Sequence, residues 1–395
     1  MRNLAFLWAL LLAACVPDKP LFPGTPRFLH ERASGRTAAD STLTIPPGEH
    51  AWTTAVRFPD GYDWELDTCA VGGTVWIDLY CDGTLYKSYP AGASIHPDMH
   101  RYAGGHLYTD YSTETETVVL CDGTEGFRFS GREALRGFVL REDGIHTLGQ
   151  DRDGDGFTYR IDGREAFRSH TGAVLGDPSR RSGALTEDGD RLYYCFSQGP
   201  VGNKSFHIMR EAEQYQVLNT AGIVYDVRFA GGKAYWVQQQ RVSLVLMAEG
   251  SAAPLHLDMG DTPRSCRIVS GPEGVLVGVN AVHGGVSHSF IQTSGGEVYT
   301  VDSGCSLVDI LCDGNECGWL VAGPDGTPVW FVRTDGSALA LPPGGFLAAR
   351  DCALLRDGHL YLALSGHRGE PGRLIVDDDV TEISFNGYFT SVTVE

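Results

Sequence analysis

A glycine recurs along this chain at a nearly constant interval, and that interval constrains the fold more than any other feature. Each copy has an apolar run, an acidic residue or Gly, a Gly, and then a second apolar run that usually carries an aromatic. The clearest copy is Cys352-Ala-Leu-Leu-Arg-Asp357-Gly358-His-Leu-Tyr361-Leu-Ala-Leu. Asp-Gly between apolar runs favours a tight hairpin, because both residues tolerate the positive φ of a type I′ turn. The second turn residue recurs at Gly105, Gly144, Gly189, Gly232, Gly274, Gly314 and Gly358, with spacings of 39, 45, 43, 42, 40 and 44. Most repeats hold another turn 18 to 22 residues later: Asp122-Gly123, Asp162-Gly163, Glu249-Gly250, Gly295-Gly296 and Asp335-Gly336. Each repeat is therefore two hairpins in succession. Gly73 opens a shorter unit, 32 residues before Gly105.

Two hairpins per period of roughly 40–45 residues make a four-stranded propeller blade. The expected fold is all-β, a β-propeller of seven or eight blades. The competing β-sandwich has turns every 8–12 residues but no constant long period. A content of 50 Gly, 16 Tyr and 17 Phe, with almost no helical periodicity, agrees with a large all-β domain. Either Thr42-Leu-Thr-Ile or the final strand, Tyr388–Val394, is expected to complete a blade begun at the other terminus and so remove exposed strand edges.

The expected organisation is a leader at 1–14, a tether at 15–40 and the propeller at 41–395. Arg2 gives a positive start, Leu4–Leu12 an apolar core too short to span a bilayer, and Leu12-Ala13-Ala14-Cys15 a cleavage site of small residues before Cys. These fifteen residues resemble those of bacterial lipoproteins. The resemblance implies that Cys15 becomes the acylated N-terminus and, with Val16 rather than Asp following it, that the chain is delivered to the outer membrane. An ordinary cleaved signal is the competing reading. Pro17, Pro20, Pro23 and Pro26 then make a semi-stiff spacer.

Charge excludes some partners. Leader removal takes away Arg2 alone among charged residues, so the net charge moves from −19 to −20. Such a surface repels nucleic acid and anionic headgroups. Ten cysteines fit an exported chain. Setting Cys15 aside leaves an odd nine, at 69, 81, 121, 195, 266, 305, 312, 317 and 352. Cys312 and Cys317 flank Asp-Gly-Asn-Glu, and a four-residue hairpin loop would bring them to disulfide distance. Zinc is the competing reading for clustered Cys, without a paired CxxC to support it.

Blade topology puts the Asp-Gly turns on one face and the more variable connections on the other. Binding is expected on the variable face, at Gln150–Gly156, Ser197–Ser205, Asn280–Ser289, Ala322–Thr327 and Ser365–Arg373. The sharpest motif there is Asp151-Arg-Asp153-Gly-Asp155-Gly156-Phe157. Oxygen ligands at positions 1, 3 and 5, Gly at 6 and a backbone carbonyl at 7, here Phe157, make a calcium loop, with Asp162 at position 12. Strand-like flanks rule out an EF-hand. The motif resembles the calcium loops of integrin-type propellers, except that Tyr159 stands where they have Asp. A structural Ca²⁺ is the expected occupant; a solvated acidic turn is the competing reading. His96, Asp98, His100 and His106 form a weaker metal candidate. His283 and His288 are weaker still, and His367, Arg368 and Glu370 suggest an anion contact.

No G-x-S-x-G, H-E-x-x-H, P-loop or G-x-G-x-x-G occurs. The leading reading is a lipid-anchored binding or scaffold module of the envelope with a protein or glycan partner. It resembles envelope-assembly lipoproteins in class only. The alternative is an extracytoplasmic hydrolase or lyase acting on carbohydrate.

Overall fold

The computed structural model describes residues 43–59, 73–91, 100–113, 115–152, 156–170, 173–175, 185–199, 205–219, 223–240, 243–248, 251–257, 261–272, 274–301, 304–324, 326–367 and 370–395. The fold is all-β, a β-propeller of eight blades. Cys15, the leader, the tether and Cys69 lie outside the described residues. Among the described residues no helix is long and apolar enough to cross a membrane.

Seven blades are continuous in sequence. Blade 2 has strands His100–Ala103, His106–Ser112, Glu116–Cys121 and Thr124–Ser130, and blade 3 has Glu133–Arg141, Gly144–Asp151, Gly156–Ile161 and Arg164–His170. The first strand of blade 4 is split into Ala173–Leu175 and Thr186–Asp188, which both pair with Arg191–Gln198; Ser205–Arg210 and Glu213–Asn219 follow. Blade 5 comprises Val224–Ala230, Lys233–Gln240, Ser243–Ala248 and Ser251–Pro254; blade 6, Thr262–Gly271, Gly274–His283, Val286–Thr293 and Val298–Val301. Blade 7 runs Ser306–Cys312, Cys317–Ala322, Pro328–Arg333 and Ala338–Ala340, and blade 8 Ala353–Arg356, His359–Leu364, Gly372–Val376 and Asp379–Ile383. All seven regularly spaced glycines mark the first turn of these blades, five of them between the first and second strands and two, Gly144 and Gly274, as the opening residue of the second.

Blade 1 is assembled from both ends of the chain. Its order is Thr84–Pro90, Trp76–Cys81, Ala51–Arg57, then the C-terminal strand Gly387–Val394. This corrects the reading of Gly73 as the opening of a repeat. The first strand of blade 1 begins at Gly387, 314 residues after Gly73 (387 − 73), so no first hairpin exists there, and Gly73 stands just ahead of the third strand. The hairpin that blade 1 does keep turns at Asp82 (φ 50°) and Gly83 (φ 79°), both in the left-handed region a type I′ turn requires.

The described chain divides into two compact units. One holds blades 5, 6 and 7 with Leu355–Leu360; the other holds blades 1 to 4, Leu347–Leu354 and Tyr361–Glu395. Within each, the core is a series of layers between consecutive blades, as expected when each sheet buries both faces against its neighbours. In the larger unit, Phe157, Tyr159, Tyr194, Phe196 and Met209 fill the layer between blades 3 and 4. Tyr108, Val119, Phe129, Leu135 and Phe138 fill that between blades 2 and 3. In the smaller unit, Val237, Leu246, Ile268, Val277 and Phe290 fill the layer between blades 5 and 6.

One corner repeats. The residue that opens the turn between third and fourth strands accepts the backbone N–H near the start of the second strand. Asp82 binds the Ala51 N–H (2.8 Å), Asp122 that of Leu107 (3.0 Å), Asp162 that of Ile145 (2.8 Å) and Ser294 that of Val275 (3.3 Å). Each bond spans 15 to 31 residues of sequence and ties the turn to the second strand beside it.

The structure joins Cys312 to Cys317 in a disulfide (S–S 2.02 Å) across the first turn of blade 7. In that turn Asp313 accepts the N–H groups of Asn315 (2.8 Å), Glu316 (2.9 Å) and Gly358 (2.9 Å). Burial alone would raise its pKa, but these donors together hold the carboxyl below the usual carboxylate range. A depressed folded-state value means that Asp313 adds stability above its unfolded pKa of about 4, and that this is lost as the pH falls through the folded value. Asp313→Asn is expected to flatten the acid limb of the stability–pH curve, measured by denaturant unfolding between neutral and acidic pH.

Candidate functional site

The acidic motif of blade 3 is spread along a strand. Asp151 ends the second strand, exposed and in register with Glu133. Phe157 is buried in the third strand, edge-on to Tyr194 and against Phe196. Asp162 lies beyond the far end of that six-residue strand, about 20 Å along it at roughly 3.3 Å per residue. Its carboxylate binds the Ile145 N–H of the other turn. The structure therefore does not bring Asp162 to Asp151, because an extended strand replaces the curling loop that position 12 presupposes. Asp153 and Asp155 lie outside the described residues.

The other candidates separate similarly. His96, Asp98 and Arg368 lie outside the described residues. His100 pairs in register with Thr109, whereas His106 sits at the opposite end of that hairpin and contacts Asp122. Asn280–Ser289 is a regular hairpin, with Asn280 opposite Ser289 and His283 opposite Val286, rather than a broad loop.

That hairpin nonetheless gathers two imidazoles on one carboxylate. Asp261, with its side chain 2% exposed, has Oδ1 2.9 Å from His283 Nδ1 and Oδ2 3.2 Å from His288 Nε2. The two side chains are about one-third exposed. A buried carboxylate behind imidazole fixes the ring's tautomer and orientation. Sequence reading found the two His but not Asp261, which is 22 residues before the first and offers no local signal. Asp261→Ala is expected to destabilise this hairpin by about 1–3 kcal/mol, seen as faster amide exchange across 274–293.

In the larger unit a cavity of about 350 Å³ lies among the first strands of blades 1, 2, 3, 4 and 8. Its walls include Arg101, Leu140, Glu187, Asp351, Leu354 and Thr393. Arg101 Nη2 meets Asp351 Oδ2 at 3.0 Å, with both side chains about one-third exposed. Arg101, Leu140 and Glu187 each stand shortly before a first turn. The cavity thus adjoins the short-turn ends of the strands, not the variable connections favoured by sequence. Its size falls at the low end for ligand pockets, and its mixture of apolar wall and a few charged groups is typical of them.

Four of the buried acids hold strands together. Asp78 takes Arg57 Nε (2.5 Å) and the Ser88 hydroxyl (2.6 Å). Glu133 receives both Nη atoms of Arg160, each at 2.7 Å. Asp226 accepts the Val227 N–H (2.9 Å) and, from blade 6, the Ile268 N–H (2.8 Å). Asp309 pairs with Arg267. In the metal-free chain a free thiolate nucleophile is disfavoured: burial, then the charge of Asp82, pushes the Cys81 thiol up to about 11, and burial and Asp122 raise Cys121.

No protein-family model matches the chain, and no curated protein matches it. Among solved structures, the dihydro-heme d1 dehydrogenase NirN in complex with DHE is similar at TM-score 0.52 and 11% identity, covering 96% of this chain and 79% of that one. An oligogalacturonate lyase in complex with manganese gives 0.47 at 11% identity, over 83% of this chain and 96% of that one. A prolyl endopeptidase gives 0.44 at 10% identity over 75% of this chain. The chain spans about half, 49%, of that enzyme's length. At such identities the likeness is one of fold alone.

Proposed function

We propose that this chain is a non-catalytic binding module of the bacterial envelope. Acylated Cys15 holds it at the outer membrane, and the cavity of the larger unit receives a protein or glycan group. The observation that carries the reading is the disposition of the acids. Asp78, Glu133, Asp226 and Asp309 are buried and engaged by arginines and backbone N–H groups, while at the cavity Arg101 and Asp351, paired with each other, are about one-third exposed and Glu187 is exposed. Such an arrangement suits recognition more than proton transfer. The test incubates purified protein with solubilised envelope proteins and glycans. The expected result is a retained ligand released unchanged and lost in Leu140→Glu; chemical turnover of the ligand would overturn it.

Anchoring rests on Leu12-Ala13-Ala14-Cys15. Cells fed an alkynyl fatty acid are expected to label the wild type and not Cys15→Ser, which should leave the membrane fraction; equal labelling of both contradicts it. In the same reading Asp151, Asp153 and Asp155, with the Phe157 carbonyl, hold a structural Ca²⁺ in the weak extracellular range of about 10⁻⁴–10⁻³ M. At ten times its Kd the ion adds about 1.4 kcal/mol of stability, and Asp153→Asn removes the gain.

A second reading, an extracytoplasmic hydrolase or lyase acting on carbohydrate, is favoured by the His283–Asp261–His288 cluster, since an imidazole oriented by a carboxylate is a general acid–base arrangement. It requires turnover of an envelope glycan that Asp261→Asn abolishes.

A further inference from the structure

The repeated corner carries different chemistry in different blades. In blade 1, Asp82 binds the Ala51 N–H through Oδ1, and its Oδ2 lies 2.8 Å from His50 Nδ1. In blade 2, Asp122 binds the Leu107 N–H through Oδ1, and its Oδ2 lies 2.7 Å from His106 Nδ1. The residue before each acid is a cysteine, Cys81 or Cys121. In each trio one ligand atom from His, Cys and Asp lies within 4.8 Å of the other two.

We propose that His50, Cys81 and Asp82, and equally His106, Cys121 and Asp122, form two equivalent sites for a divalent transition metal of the zinc class. Zinc takes imidazole at about 2.0 Å and thiolate at about 2.3 Å, which sets tetrahedral ligand atoms roughly 3.3–3.7 Å apart. The His–Asp pairs, at 2.8 and 2.7 Å, must open slightly to reach that spacing, and every ligand atom of each trio already lies within 4.8 Å of the others. The imidazoles can move, because their side chains are 59% and 54% exposed. The carboxylates need not move, since a backbone N–H fixes each one's other oxygen, the kind of outer support that orients a metal ligand. A nitrogen, sulfur and oxygen set suits zinc, cobalt or nickel rather than calcium or magnesium. Coordination releases the thiol proton to solvent. Three protein ligands leave a fourth position for water or an incoming donor.

Comparison with the other blades separates this from a purely structural corner. The positions equivalent to His and Cys are Gly144 and Ile161 in blade 3, Arg191 and Arg210 in blade 4, Lys233 and Ala248 in blade 5, Gly274 and Thr293 in blade 6, Glu316 and Arg333 in blade 7, and His359 and Val376 in blade 8. The corner is satisfied structurally by Arg191–Glu211 or by Glu316–Arg333, without sulfur. A corner ion pair thus does not require a cysteine. Thiol and imidazole coincide only in blades 1 and 2 among these pairs, where a metal would use both.

The test titrates reduced, chelator-treated full-length protein with Co²⁺ and then Zn²⁺. The expected result is two equivalents of cobalt giving thiolate-to-cobalt charge-transfer absorption and tetrahedral visible bands, bleached by zinc. Cys81→Ser removes one equivalent, Cys121→Ser the other, and the double variant both, with the metal-free melting temperature unchanged. Absence of the charge-transfer band, or its persistence in the double variant, overturns the proposal. Should a serine variant fold poorly, His50→Gln and His106→Gln alter exposed rings and carry the same expectation.

Discussion

A chain ending at Asn386 is expected to lose the cooperative fold of its larger unit. The missing strand, Gly387–Val394, pairs with Ala51–Arg57 from Ala51 opposite Val394 to Arg57 opposite Gly387. It buries Phe389 (0% exposed), Val392 (6%) and Val394 (2%) in the layer that also contains Tyr80, Cys352, Tyr361 and Leu374. Three such side chains at about 1.5–3 kcal/mol each are comparable with the whole stability of a typical domain, about 5–15 kcal/mol. The deletion also exposes the backbone edge of Ala51–Arg57, the kind of edge that recruits other chains. Soluble expression should fall, and amide protection across 51–57 should vanish. Within the full-length chain, Phe389→Ala should cost about 3–5 kcal/mol. A truncated protein that melts cooperatively at the wild-type temperature would show that the C-terminal strand is dispensable.

Glu133→Gln is expected to produce the largest loss from a single polar change. Glu133 and Arg160 are 6% and 3% exposed, and their bidentate contact ties the first strand of blade 3 to its third. The guanidinium lies 3.9 Å over the Phe129 ring of blade 2, and the Glu133 N–H binds Thr117 Oγ1 at 3.0 Å. No larger side chain fits alongside: a Cβ on Gly149 would meet the Glu133 carboxylate. Neutralising Glu133 strands a buried cation, which costs roughly 3–5 kcal/mol. Removing both charges avoids that cost, so Glu133→Leu with Arg160→Met should recover most of it. Denaturant midpoints of the single and double variants decide this. A double variant no better than Glu133→Gln would mean that the contact acts through geometry rather than charge.

Much of the fold was legible because a type I′ turn demands positive φ, and Asp-Gly or Gly-Gly advertises that demand in the sequence. The seven spaced glycines mark the first turns of seven blades. The eighth is obscured because its first strand comes from the other end of the chain: blade 1 has no first turn, and Asp82-Gly83 joins its third and fourth strands. The Cys312–Cys317 hairpin could be read because its partners are five residues apart. The cavity could not, because Arg101 and Asp351 are 250 residues apart. Asp261 had no pattern linking it to His283 and His288. Asp162 could not be placed from the sequence because a strand, Gly156–Ile161, and not a loop, separates it from Asp151. The tripeptide Cys-Asp-Gly, which occurs at 81–83, 121–123 and 312–314, carries a further signal. In its first two copies it sets a thiol beside a turn carboxylate, and in the third it supplies half of the disulfide.

The most direct test of the binding reading is site-specific photo-crosslinking in living cells. A benzoylphenylalanine replaces Leu140, which is 37% exposed at the cavity, or Tyr86, which is 65% exposed on the fourth strand of blade 1. The account predicts one discrete adduct from position 140 and none from position 86. No adduct at 140, or the same adducts from both positions, would contradict the assignment of the cavity as the binding site.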